Sequence, residues 1–77
     1  MNKQRRKDLL DVAESLQEAL DRLSEVRDEE QEAFDNMPES LQYGSRGDAM
    51  QEAIDTMDEW ESEIDEIKSR IEEFAGD

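Results

Sequence analysis

From Leu9 to Met37 the apolar residues recur in a seven-residue frame. Leu9, Leu16, Leu23 and Met37 share one position, and Val12, Ala19, Val26 and Ala33 share another three residues later. Ala13, Leu20 and Phe34 widen the stripe on one side. A second segment repeats the arrangement, with Met50, Met57, Ile64 and Ile71 in the first register and Ala53, Trp60, Ile67 and Phe74 in the second. Steps of three and four keep side chains on one face of an α-helix, and a repeat of seven makes that face a seam for another helix. The residues between are mostly Glu, Asp, Gln, Ser, Arg and Lys, without Gly or Pro in either interior, so propensity and pattern agree. The pattern predicts two long amphipathic helices, over about residues 4–36 and 46–75.

The stretch Asp35 to Asp48 interrupts them. Pro38 disfavours helical angles at Met37 and has no N–H to extend the first helix, which should stop near Asn36. Pro38-Glu39-Ser40-Leu41 can begin a single helical turn inside a 37–45 loop, with Gly44 ending it. Ser45 or Asp48 can cap the second helix, and Ser45, with Asp48 three residues on, is favoured. A link of about ten residues between helices of similar length reads as an antiparallel hairpin, one all-α domain over residues 1–77, each helix roughly 40–45 Å long. Two helices alone leave much of Trp60, Phe74 and the leucines in water. Pairing two hairpins into a four-helix bundle closes the core, so a homodimer, or a hairpin completed by a partner, is expected. The core or dimer seam is assigned to Leu16, Leu20, Leu23, Phe34, Met57, Trp60, Ile64, Ile67, Ile71 and Phe74.

Composition narrows the chemistry. The 77 residues carry 24 acids against 9 bases, a net charge of −15, with no Cys and no His. Disulfides, thiolate nucleophiles, zinc-thiolate sites and histidine bases are thereby excluded. An acidic surface is repelled by nucleic acid and anionic lipid, so direct binding to either is disfavoured and proteins are the expected partners. No apolar run reaches the roughly 18 residues of a membrane span and no signal-peptide stretch opens the chain, which reads as cytoplasmic. The exception to the acidity is Lys3, Arg5, Arg6 and Lys7, which leave residues 8–77 with a net of −19. In a hairpin this basic tip lies near Glu72, Glu73 and Asp77 and pairs with them, or else it touches an acidic partner.

Carboxylates on helices can hold metal ions, which puts Glu29, Glu30, Glu32, Asp58, Glu59, Glu61, Glu63 and Glu66 in question. The di-iron pattern needs Glu-x-x-His, and a Glu-Glu-x-x-Glu magnesium element fails because residue 33 is Ala. Asp55 to Asp58 lacks the glycine and spaced oxygens of a calcium loop. A non-enzyme with no metal and no cofactor is expected. Glu30, the one acid in a core slot of the frame, either pairs with Arg27 and water or accepts a partner's arginine. The loop is unusual in carrying Met37, Leu41 and Tyr43 beside Phe34, and either plugs the end of the bundle or presents itself to a partner. Asn36, Gln42 and Arg46 are its polar recognition groups. Asp58, Glu59, Glu61, Glu63 and Glu66 form a candidate acidic face.

The run Arg27-Asp28-Glu29-Glu30-Gln31-Glu32-Ala33-Phe34-Asp35-Asn36-Met37-Pro38-Glu39-Ser40-Leu41-Gln42, followed by Ser45-Arg46-Gly47 and an Ala-Met-x-x-Ala-Ile-Asp helix, resembles small acidic proteins of bacteriophages and prophages. The likeness covers about residues 20 to 75. Tyr43-Gly44-Ser45-Arg46-Gly47 departs from those relatives, where a serine and an acid often precede the arginine. The resemblance implies a helical hairpin of phage origin and carries no agreed activity. In that context the acidic rod suggests an inhibitor of a host defence protein, such as a nuclease or CRISPR effector, acting either by DNA mimicry or through a contact that imitates nothing. A net of −19 over roughly 45 Å is about 0.4 charges per Å, against about 0.6 for duplex DNA. The alternative is a dimeric coiled-coil adaptor or regulatory module in a phage assembly. Sequestering a nucleotide would need a basic pocket, for which Arg46, Arg22 and Arg27 offer little.

Overall fold

Asn2 has extended backbone angles (φ −79°, ψ 170°), and its side-chain oxygen accepts a 2.8 Å hydrogen bond from the Arg5 N–H. That bond satisfies one of the amides left free at a helix start. In the computed structural model, which describes residues 1–76, helix α1 follows as Lys3–Asp35. Four Gln-to-Asp hydrogen bonds of i,i+4 spacing, from Gln4, Gln17, Gln31 and Gln51, brace the exposed faces of the two long helices.

The turn is built by successive carbonyl captures. The Asn36 N–H still reaches the Glu32 carbonyl at 3.0 Å, Met37 N–H folds back to Phe34 at 3.1 Å, and Pro38 has no N–H to continue. The Pro38 carbonyl accepts from Leu41 (2.9 Å) and Gln42 (3.2 Å), making the one-turn helix α2, Glu39–Gln42. Helix α3 then runs Ser45–Gly76. The Gly44 carbonyl receives the Asp48 N–H at 3.0 Å, so Gly44 stands at the cap and Ser45 is already helical. This corrects the assignment of Ser45 as cap, because the preceding turn has aimed the Gly44 carbonyl along the new helix. No described residue, glycine included, has a positive φ, so Gly44 closes the turn without a left-handed conformation.

α1 and α3 pack side by side as an antiparallel, coiled-coil-like hairpin measuring 58 × 14 × 12 Å. The seam uses a 3-4 spacing, but a different one from the first two registers of the sequence. On α1 the covered positions are Leu9, Ala13, Leu16, Leu20, Leu23, Arg27, Glu30 and Phe34. On α3 they are Gly47, Met50, Ile54, Met57, Glu61, Ile64, Lys68, Ile71 and Ala75. Leu16, Leu20, Leu23, Phe34, Met57, Ile64 and Ile71 therefore lie in the seam as assigned. Trp60, Ile67 and Phe74 do not, and are 51%, 48% and 52% exposed. The seam turns toward the residues that looked like its margin, leaving the whole second register facing outward.

Cross-helix polar contacts flank the seam on one side. Arg27 grips Asp58 with two nitrogens, Nε at 2.7 Å and Nη2 at 3.3 Å, and Lys68 Nζ donates to Gln17 Oε1 at 2.7 Å. The hydrogen bond to Asp58 is the main cause holding the Arg27 guanidinium above its ordinary value, so Arg27 stays charged at any working pH. A forked pair joining two helices restrains their register, whereas the exposed Arg22–Glu25 pair lies within one turn. Arg27→Ala is accordingly expected to lower the thermal midpoint more than Arg22→Ala does. In a double-mutant cycle followed by circular dichroism, Asp58→Ala should then cost little once Arg27 is gone.

Candidate functional site

The second register forms a surface of its own. Val12, Ala19, Val26 and Ala33 on α1 are all exposed, as are Trp60, Ile67 and Phe74 on α3, with Ala53 half-buried. Each set sits about 75° around its helix from the seam, in the same rotational sense along its own chain. Because the two helices run in opposite directions, that common sense puts both sets on one side of the hairpin. The Arg27–Asp58 and Lys68–Gln17 bonds lie on the other side. A groove of about 490 Å³ lined by Leu9, Ile67, Arg70, Ile71 and Phe74 joins the two helices on the apolar side. Register sets the rungs: Val12 lies level with Phe74, Ala19 with Ile67, Val26 with Trp60 and Ala33 with Ala53.

The backs of the helices carry the opposite chemistry. On α1, Asp11, Glu14, Glu18, Asp21, Glu25, Asp28, Glu32 and Asp35 follow steps of three and four directly opposite the seam, and every one is exposed. They make a ridge of eight carboxylates, roughly 36 Å from first to last. On α3 the equivalent ridge is Asp48, Glu52, Asp55, Glu59, Glu66 and Glu73, with Ser62 and Ser69 in the two remaining places, again all exposed. The proposed acidic face is thereby corrected. Glu59 and Glu66 belong to the ridge and Glu63 is exposed beside it, but Asp58 is engaged by Arg27. Glu61 lies in the seam, its Oε1 buried with no hydrogen-bond partner among the described residues. A periodicity count of acids at steps of three and four would have found the α1 ridge from the sequence.

The loop divides between the two roles expected of it. Met37 is half-buried and Phe34 packs in the seam, whereas Leu41 is exposed and Tyr43 is 80% exposed. Gln42 is a structural group, since its Nε2 donates to the Phe34 carbonyl at 2.9 Å and caps the end of α1. Asn36 and Arg46 are exposed. Glu30 is half-buried, and Arg27, its expected partner, is taken by Asp58 and Asp28. At the other end, Arg6 Nη1 donates to the Phe74 and Ala75 carbonyls, both at 3.4 Å. That corrects the pairing expected with Glu72 and Glu73: the closing turn of α3 offers unpaired carbonyls and the negative end of its dipole, and Arg6 meets these first. Asp77 lies outside the described residues.

No three carboxylates among the described residues converge on a point where a metal ion could sit, and no helix of the structure is long and apolar enough to cross a membrane. The chain thus offers two surfaces, one apolar and one carboxylate-lined. No protein family, curated protein or solved structure matches this chain, which leaves those two surfaces as the basis for a functional reading.

Proposed function

We propose that this chain is a phage-type, non-enzymatic protein that acts as a homodimer in the host cytoplasm. It binds and inhibits a nucleic-acid-handling defence protein, a nuclease or CRISPR effector, by imitating DNA. The observation that carries this reading is the unbroken ridge of eight exposed carboxylates on α1, continued by six on α3. Solubilising surfaces commonly intersperse charges of both signs, whereas here only Glu25 and Asp28 of the α1 ridge are met by bases, Arg22 and Arg27 at its flank, and no base stands in either ridge. One chain spreads −15 over 58 Å, about 0.26 charges per Å. Two chains side by side reach about 0.5, close to the roughly 0.6 of duplex DNA. The phage context rests on the resemblance of the loop and its flanks.

Salt separates this reading from others. Binding to a purified nuclease or effector, measured by calorimetry, should weaken by about 10³-fold between about 50 and 200 mM salt, as DNA complexes with several phosphate contacts do. Added duplex DNA should compete directly. Glu14→Gln, Glu18→Gln, Glu25→Gln and Glu32→Gln combined should abolish binding without loss of helix. Salt-insensitive binding that survives the four substitutions would sink the mimicry reading.

The adaptor reading draws on a different observation, the loop side chains Leu41 and Tyr43 standing 48% and 80% exposed. A module of that kind would keep its partner when the ridge is neutralised and lose it when Met37, Leu41 and Tyr43 are replaced by serine.

A further inference from the structure

The apolar side of the hairpin has the volume pattern of a half-interface. Building on the dimeric reading above, we infer that a second copy of this chain covers it, face to face, with the loops of the two copies at opposite ends.

Three observations converge on that occupant and that direction. First, the apolar positions run without interruption from Val12 to Ala33 on α1 and from Ala53 to Phe74 on α3, about 32 Å along a hairpin 14 Å wide, and both lines lie on the same side. Trp60, Ile67, Phe74, Val12 and Val26 supply its large side chains, each between 39% and 52% exposed in the single hairpin. Second, side-chain volume runs unevenly along the face, with Val12 and Phe74 on the rung nearest the basic tip and two alanines, Ala33 and Ala53, on the rung nearest the loop. With loops at opposite ends, α1 lies over the partner's α1 and α3 over the partner's α3. Phe74 then meets the partner's Ala53, Val12 meets its Ala33, Val26 its Ala19, and Trp60 its Ile67. Large residues face smaller ones at nearly every rung, the condition for a core without voids or overlap. With loops at the same end, one rung would hold four alanines and leave a cavity, while another would crowd two phenylalanines and two valines.

Third, charge favours the same direction. Lys3, Arg5, Arg6 and Lys7 offset Asp8, Glu72 and Glu73 at one end of the rod and make it the least acidic part of the chain. The other end carries Glu29, Glu32, Asp35, Glu39, Asp48 and Glu52, all exposed. Opposed loops set each basic tip over the partner's acidic end; aligned loops would set tip on tip and acid on acid. The overall repulsion between two copies of charge −15 weakens with salt, so the pairing should be strongest at moderate ionic strength.

The chain contains no cysteine, so single-cysteine variants report one position each. Mass in solution is read by sedimentation equilibrium of the intact chain at moderate salt, and geometry by pulsed dipolar spectroscopy of spin-labelled Ser40→Cys. The expected result is a dimer whose two Ser40 labels are separated by about the 58 Å long axis. Ile67→Lys should weaken the dimer by about 100-fold, since a charge would be buried there, while Ile67→Ala, which leaves the seam untouched, should weaken it less and keep the helix signal. A dimer with Ser40 labels within about 20 Å, two interhelical spacings, would overturn the arrangement and leave the dimeric reading standing. A monomer at all concentrations, or a dimer indifferent to Ile67→Lys, would overturn both.

Discussion

Ile54→Ala is expected to leave most of the chain unfolded at temperatures where the parent is fully helical. Ile54 is 1% exposed and is the one large side chain of the seam completely shut from water; the other buried apolar residues are Ala13, Met57 and Ala75. Apart from Gly47, which has no side chain to bury, everything else in the seam is half-covered, because two helices can enclose only a narrow strip between them. A core of this size supplies no more than about 3–5 kcal/mol. Truncating a buried isoleucine to alanine costs about 2–5 kcal/mol, from lost transfer energy and the cavity left behind. Loss and total stability are therefore comparable. Circular dichroism at the helix band should show the thermal midpoint falling by at least about 10 °C. A fall under about 5 °C would mean that stability resides elsewhere, and Ile67→Ala would then be the more damaging change.

Gly47→Ala should destabilise the hairpin, against the helix propensity of the two residues. Alanine in place of glycine inside a helix ordinarily stabilises by up to about 1 kcal/mol. At Gly47 an added Cβ would overlap the Gln42 carbonyl oxygen and stand 2.7 Å from the Gln42 Cα, so backbone meets methyl with no side chain free to move aside. Overpacking of this kind costs about 1–3 kcal/mol and exceeds the propensity gain. It would also lift α2 off α3 and disturb the Gln42 bond to the Phe34 carbonyl. Gly44→Ala is the control, since its nearest neighbour is the Leu41 carbonyl oxygen at an ordinary 3.6 Å. Thermal melts of the pair should separate by about 5–10 °C; equal midpoints would mean the turn can open at Gln42 without cost.

Those two residues mark what could be read in the chain and what could not. Ile54 belongs to neither register first visible in the sequence, yet it is the most buried side chain. Gly47 lay in the stretch that interrupts the two helices, with nothing in the sequence to mark it, and is a close-packing point. By contrast Leu16, Leu20, Leu23, Ile64 and Ile71 fall in the seam from periodicity alone, and the stop at Pro38 follows from its missing N–H. The acidic ridges were also present as a 3-4 spacing, but hidden in a composition so acidic that single carboxylates carried no information. Gln42 and Arg6 could not have been placed beforehand, since their partners are backbone carbonyls whose freedom depends on where each helix ends.

The sequence by itself determined that there are two long amphipathic helices, where the first one stops, and that their outward sides are acidic. Those features follow from local steps of three and four and from the geometry of proline. Tertiary structure decided which of two overlapping apolar registers closes the hairpin. Leu9, Leu16 and Leu23 belong to both, and the second partner in each helix can be Val12 with Trp60 or Ala13 with Ile54. In the joined hairpin α2 seats on Gly47, where only a hydrogen faces the Gln42 backbone, and α3 lies with Ile54 inward and Trp60 outward. No property of either helix alone contains that orientation, because it arises only when the two are joined and packed.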